Sequence, residues 1–259
     1  ATMLLAVDIG NSHMVLGLFE DKTLVCDWRI HTNRSTTPDE LAARLFGLFQ
    51  LKKRRFEEIT AVIIGSVVPP LDSVWSKLAR KYLHCEPLLV SGGKIDTGII
   101  IATDHPAEVG ADRIINSVAA YSRYKKELII VDFGTAITLD CVAGKGEYIG
   151  GAIAPGLRIS FDALINLTAK LPRVDISTPP PHPIGTNTEH ALKSGLLYGF
   201  GGLVEGLINR IAQQFHPHIP KFIATGGMAG VIAPFAPSIE AVEPMLTLEG
   251  LQIIHARNS

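Results

Sequence analysis

The stretch LLAVDIGNSHMVLGLFEDKTLVCDWRI, residues 4–30, and the stretch LIIVDFGTAITLDCVAGKGEYIGGAIAPG, residues 128–156, follow one design written twice. Each opens with an apolar, β-rich run that carries Val-Asp-x-Gly near its end, at Val7, Asp8 and Gly10 and again at Val131, Asp132 and Gly134. Each then passes through a small polar turn into a second apolar run, and through a hairpin into a third. Runs separated by GNS and EDK read as an antiparallel meander. Self-similarity of this kind decides a fold before any single element does. The reading is two lobes, each beginning with a three-stranded meander and continuing into βα units.

Working outward, Pro38 is placed to begin a helix over residues 39–51. The run AVIIGSVVP reads as a buried strand, followed by a helix over 71–82 and a short strand at 88–90. Pro106 is expected to open a third helix through residue 124. Beyond the repeated meander come a helix near 157–167, a rigid connector at TPPPHP and a long helix over 189–215. A strand at 221–227, a short strand near 239–242 and a helix from Leu248 complete the pattern. The cluster Lys52, Lys53, Arg54 and Arg55 reads as a solvated helix end.

Composition narrows the function classes. Of 259 residues, 47% are hydrophobic and 19% charged, which fits a folded core rather than disorder. A formal net charge of −1 argues against a broad surface for nucleic acid or anionic membrane. Cys26, Cys85 and Cys141 lack paired spacing, so a reducing cytoplasm is expected rather than a disulfide framework. The histidines show no metal-ligand spacing, and no apolar run reaches membrane-spanning length.

The repeated turns carry the chemistry. Glycine lets a backbone approach a ligand, and successive N–H groups can cradle phosphate oxygens. A carboxylate beside phosphate is repulsive unless a cation intervenes. Asp8 and Asp132 therefore read as groups that hold or orient cations, with nucleotide-bound Mg²⁺ the obvious one. Either turn alone is ordinary turn chemistry; the repetition argues for function. A third glycine turn, TGG at residues 225–227, suits the flat approach of a nucleoside. In EVGADRI, Gly110 admits a ligand to a helix start, and Asp112 and Arg113 point about 100° apart around the axis. The helix dipole is expected to favour the ionised form of Asp112, leaving it a weak base yet a competent acceptor for a hydroxyl proton. Arg113 offers a fork for carboxylate or phosphate.

DIGNS at 8–12, GADR at 110–113, DFGTAIT at 132–138, GGAIAPG at 150–156 and NTEHALKSG at 187–195 together resemble type III pantothenate kinase. That family sits in the superfamily of acetate and sugar kinases, heat-shock chaperones and actin. The resemblance implies an α/β fold of two ribonuclease H-like (actin-like) lobes, each a mixed sheet flanked by helices, with an ATP cleft between them. The lobes are expected at 1–125 and 126–259, with the last helix free to pack back on the first. It also implies transfer of the γ-phosphoryl group of ATP to pantothenate, opening coenzyme A synthesis.

By match to the family's motifs, Asp8, Ile9, Gly10, Asn11, Ser12, His13, Met14 and Val15 bind ATP, with Thr135 beside them. Asp112 takes the hydroxyl proton, and Gly110, Ala111, Arg113 and Thr188 complete the pantothenate site. Asp132 resembles the ligand of a required monovalent cation, K⁺ or NH₄⁺, while Mg²⁺ accompanies ATP. The family forms homodimers, and Thr188 is expected to serve the neighbouring subunit's site. Two positions depart from the pattern: Ser12 replaces a commoner Thr, and Thr103 stands where an aromatic residue is frequent. Two rival readings are a non-catalytic ATP-binding accessory factor on the same scaffold and a kinase of another small hydroxylated acid or sugar.

Overall fold

The structure, a computed structural model, describes residues 2–90 and 95–259. The chain divides into two compact units: Ala1–Ile99, His105–Ala119 and Leu246–Ser259 form one, Ile100–Asp104 and Ala120–Met245 the other.

In the first unit, β1 (Met3–Ile9), β2 (His13–Glu20) and β3 (Thr23–His31) form the antiparallel meander. On the far side of β1, β4 (Ala61–Ser66) and β5 (Leu88–Leu89) continue the sheet in parallel, giving the order β3-β2-β1-β4-β5. β1 and β4 are nearly continuous apolar runs because they are covered on both faces. Helix α1 (Pro38–Leu51) starts at a capping box between Thr37 and Glu40, with proline in its first turn. It buries Leu41, Ala42, Leu45 and Phe49, and the Phe49 ring stacks on Trp28 at 4.6 Å. Helix α2 (Pro69–Leu78) adds Leu71, Trp75 and Leu78 to the same core and runs on as a wider turn through Leu83.

The opposite face of this sheet carries α3 (Ala111–Tyr124) and α7 (Leu246–Arg257). Two glycines set how closely they pack. A Cβ on Gly65 of β4 would lie 2.4 Å from the Ile115 side chain, and one on Gly250 of α7 would lie 2.2 Å from the Ile115 carbonyl oxygen. Ile115 is thereby pinched from two sides, which fixes the first turns of α3 over the end of β4.

In the second unit, β7 (Leu128–Phe133), β8 (Ala136–Val142) and β9 (Glu147–Pro155) repeat the meander. β10 (Lys221–Thr225) and β11 (Ala241–Val242) repeat the parallel pair. The order is β11-β10-β7-β8-β9, with β6 (Ile100–Ile101) added in parallel beyond β9. Helices α4 (Leu157–Asn166), α5 (Thr188–Ala212) and α6 (Ala229–Ile232) cover it, and Val204 and Ile208 of α5 lie in the core with Phe133 and Leu139. The duplicated mixed sheet expected from the repeat is present in both units.

Several boundaries differ from expectation. Pro106 opens only a 3₁₀ turn at Pro106–Glu108; Gly110 interrupts the path, and α3 begins at Ala111. The helix expected from residue 189 begins one residue earlier, because the Asn187 side chain caps it by accepting the His190 N–H at 2.8 Å. The last helix begins at Leu246 rather than Leu248. β6 and α6 had no expectation in the sequence: two and four residues are too short to show a period.

Candidate active site

In the first unit the candidate residues gather at the end of β1. Asp8, next to last in the strand, pairs in register with Val15 on one side and Gly65 on the other. The chain then turns through Gly10, Asn11 and Ser12, closed by the Gly10 N–H donating to the His13 carbonyl at 3.0 Å. A Cβ at Gly10 would meet that oxygen at 2.9 Å, so the turn is closed too tightly for alanine to fit without a shift. From behind, Thr32 ties the turn down: its N–H donates to the Ser12 carbonyl at 3.0 Å and its hydroxyl to the Gly10 carbonyl at 2.7 Å. Arg34 reaches over from the same segment and donates to the Asn11 side-chain oxygen at 2.8 Å. Ile9 and Met14 are fully buried, with Met14 receiving the Trp75 indole N–H, so only their backbone is available to a ligand. His13 faces His31 edge-on across the meander.

Gly110, Ala111, Asp112 and Arg113 form the start of α3 in this same unit. The Gly110 carbonyl accepts the first helical N–H bonds, from Arg113 and Ile114. An Asp112 carboxylate oxygen accepts the same Arg113 backbone N–H at 2.9 Å, so that donor is shared between the acid and the Gly110 carbonyl. A Cβ on Gly110 would lie 2.6 Å from that carboxylate oxygen, so glycine makes room for the acid. Asp112 lies one turn before Ile115, the residue seated on Gly65, and Gly65 pairs with Asp8. The pinch on α3 therefore sets the acid at the Asp8 end of the sheet.

The electrostatics of Asp112 correct the expectation from the helix dipole. Burial pushes its carboxyl above the usual carboxylate range, against the Arg113 backbone N–H and guanidinium charge, which pull it down. Desolvation outweighs the backbone N–H bonds and the neighbouring cation, which makes the group a better base than its place in a helix suggests.

In the second unit Asp132 repeats the place of Asp8, pairing with Thr138 and with Thr225. Its turn is shorter, Gly134 and Thr135, and the Gly134 N–H donates to the Ala136 carbonyl at 3.0 Å. Thr135 is exposed, and its carbonyl accepts the Gly156 N–H at 3.1 Å. The TGG turn closes on the acid: Gly226 has φ +94, and a Cβ there would lie 2.3 Å from an Asp132 carboxylate oxygen. A single carboxylate at this turn suits a monovalent cation, or a Mg²⁺ held mostly by phosphate, better than a protein-caged divalent ion. Among the described residues no group of three or more His, Cys, Asp or Glu side chains could hold a metal ion. Thr188 stands exposed at the first position of α5, and the bonds around it are those of its own helix cap.

Sequence reasoning missed Thr32, Arg34, Gly65, Gly156 as a packing residue, and Gly250. The signal for the glycines is long-range backbone contact, which no local pattern carries. TNR at 32–34 reads as an ordinary polar loop.

Two mixed sheets built on one plan, each with an aspartate at the end of its first strand and a glycine turn after it, define a duplicated, actin-like α/β fold. A solved structure of an inorganic polyphosphate/ATP-glucomannokinase from Arthrobacter sp. strain KM shares that fold with TM-score 0.51 at 16% identity, covering 100% of both chains. Residues 4–210 match the model of the type III pantothenate kinase family. A type III pantothenate kinase of Desulfosudis oleivorans is 51% identical over 97% of this chain and 98% of its own. That of Desulfatibacillum aliphaticivorans is 49% identical over 99% of each. The chain belongs to the type III pantothenate kinase family. Among the described residues no helix is long and apolar enough to cross a membrane.

Proposed function

We propose that this chain transfers the γ-phosphoryl group of ATP to the primary hydroxyl of pantothenate, the first step of coenzyme A synthesis. The observation that carries this is similarity at about half identity along nearly the whole length of curated pantothenate kinases. The geometry supports it through Asp112, whose burial raises its basicity at a helix start that glycine leaves open.

The Asp112 carboxylate accepts the hydroxyl proton as the alcohol oxygen bonds to the γ-phosphorus. The bond from that phosphorus to the bridging oxygen breaks, and ADP leaves with its Mg²⁺. The acceptor side is completed by Gly110, Ala111, Arg113 and Thr188, with Arg113 as the fork for pantothenate's carboxylate. Residues 8–15 and Thr135 hold ATP. Asp132 would hold K⁺ or NH₄⁺, which when bound would supply positive charge to offset that of the phosphates. The enzyme acts as a cytoplasmic homodimer in which Thr188 serves the partner's site. Positioning and electrostatics do most of the work of such a transfer.

The test is a coupled ATP assay across pantothenate and other small hydroxylated acids and sugars, in sodium and in potassium buffer. Phosphopantothenate formed faster in potassium is the expected result. ATP binding with no product from any acceptor would make the chain an ATP-binding accessory factor instead.

A further inference from the structure

The meander ends differently in the two units, and the difference isolates one side chain. In the second unit the residue after β9, Gly156, is bonded to the turn and at once caps α4, with no side chain closing that helix start. The first N–H groups of α4 therefore begin beside Gly134 and Thr135. In the first unit the corresponding residue after β3, Thr32, makes the corresponding bond to the turn. Helix α1, however, begins only at Pro38, and its start is sealed by the Thr37–Glu40 capping box with Asp39 and Glu40 in its first turn. The first turn thus lacks a helix start behind it. The positive group at that place is the guanidinium of Arg34.

We propose that Arg34 is a phosphate-binding residue for ATP, releasing Asn11 to contact the β- and γ-phosphoryl oxygens. This rests on the reading of residues 8–15 as the first phosphate turn. Three observations support it. The segment carrying Arg34 is anchored to the turn by two bonds from the buried Thr32, so the side chain starts from a fixed point. The Arg34 guanidinium is bonded to the neutral oxygen of Asn11, and among the described residues it forms no ion pair. An exposed cation parked on a neutral partner exchanges that bond for a charge-assisted, two-pronged one when phosphate arrives. Asp8 puts a carboxylate beside the same phosphates, so a fixed cation there adds to the charge that the nucleotide's Mg²⁺ supplies.

The experiment measures binding of ATP, ADP and adenosine, and steady-state kinetics, for the wild type, R34Q and R34K. Loss of a hydrogen bond between charged groups corresponds to roughly 10- to 100-fold in affinity. R34Q is expected to bind ATP and ADP that much more weakly and adenosine within about twofold of wild type. Its KM for ATP should rise while its KM for pantothenate stays put. R34K should recover part of the loss, because it keeps the charge without the fork. Equal weakening for adenosine and ATP, or unchanged ATP affinity in R34Q, would overturn the assignment while leaving the kinase reading intact. Failure of the wild type to phosphorylate pantothenate would defeat the parent reading and the assignment with it.

Discussion

The two turns follow matching strands and each is closed by its own glycine N–H, yet they tolerate different things. At Gly10 a methyl group would collide with the His13 carbonyl oxygen at 2.9 Å, whereas at Gly134 the nearest atom would be an ordinary 3.4 Å away. Around the first turn the constraint lies in the turn itself. Around the second it lies in the neighbours, where Gly226 presses on Asp132 and a Cβ on Gly156 would lie 2.2 Å from the Thr135 carbonyl oxygen. Duplication preserved the backbone plan and moved the tight point. The first unit also carries the start of α3 with Asp112, so the proposed proton transfer would fall to that copy.

The largest effect expected is on that asymmetry. Asp112→Asn should lower kcat by about 10²–10⁴ and leave circular dichroism unchanged. The same variant has a stability signature whose sign follows from burial. With its pKa raised in the folded state, Asp112 contributes stability below its unfolded pKa, and this is lost as pH rises through the folded pKa. Asparagine does not ionise, so the variant's melting temperature should gain on wild type between acid and neutral pH. A constant difference across that window would remove burial as the dominant influence.

Next is Gly226→Ala, which combines a positive φ with collision against Asp132. It should cost roughly 2 kcal/mol or more in denaturant unfolding and abolish potassium activation. Gly10→Ala should cost about 1–3 kcal/mol and raise the KM for ATP. Thr32→Val, which removes the hydroxyl bond to Gly10 but keeps the backbone bond to Ser12, should cost about 1 kcal/mol. Smallest is Gly134→Ala, expected to stay within about 0.5 kcal/mol of wild type. If Gly134→Ala proved as damaging as Gly10→Ala, the contrast between the turns would be false.

Much of this fold was legible because its signals are local and repeated. Val-Asp-x-Gly followed by alternating apolar runs appears twice, and it marks the strands that anchor both sheets. The five motifs that carry the family resemblance are short and contiguous, so they too could be read directly. What escaped has two physical causes. β6 and α6 are too short to express a period. The packing glycines act through partners far along the chain: Gly65 and Gly250 meet at Ile115, and nothing near any of the three announces the others. The basicity of Asp112 escaped for a related reason. The dipole follows from its place in a helix, whereas desolvation depends on everything folded around it.

The contact between Gly250 and Ile115 has a consequence for the order of events during synthesis. Nearly half the chain must be translated after α3 before the glycine that clamps it is made. Until then the acid-bearing helix has its sheet beneath it but lacks the helix that packs beside it on the same face. A nascent chain stalled before Leu246 would display both glycine turns yet leave Asp112, the acid proposed to accept the hydroxyl proton, on a helix without its brace, delaying competence for the proposed transfer until α7 is made.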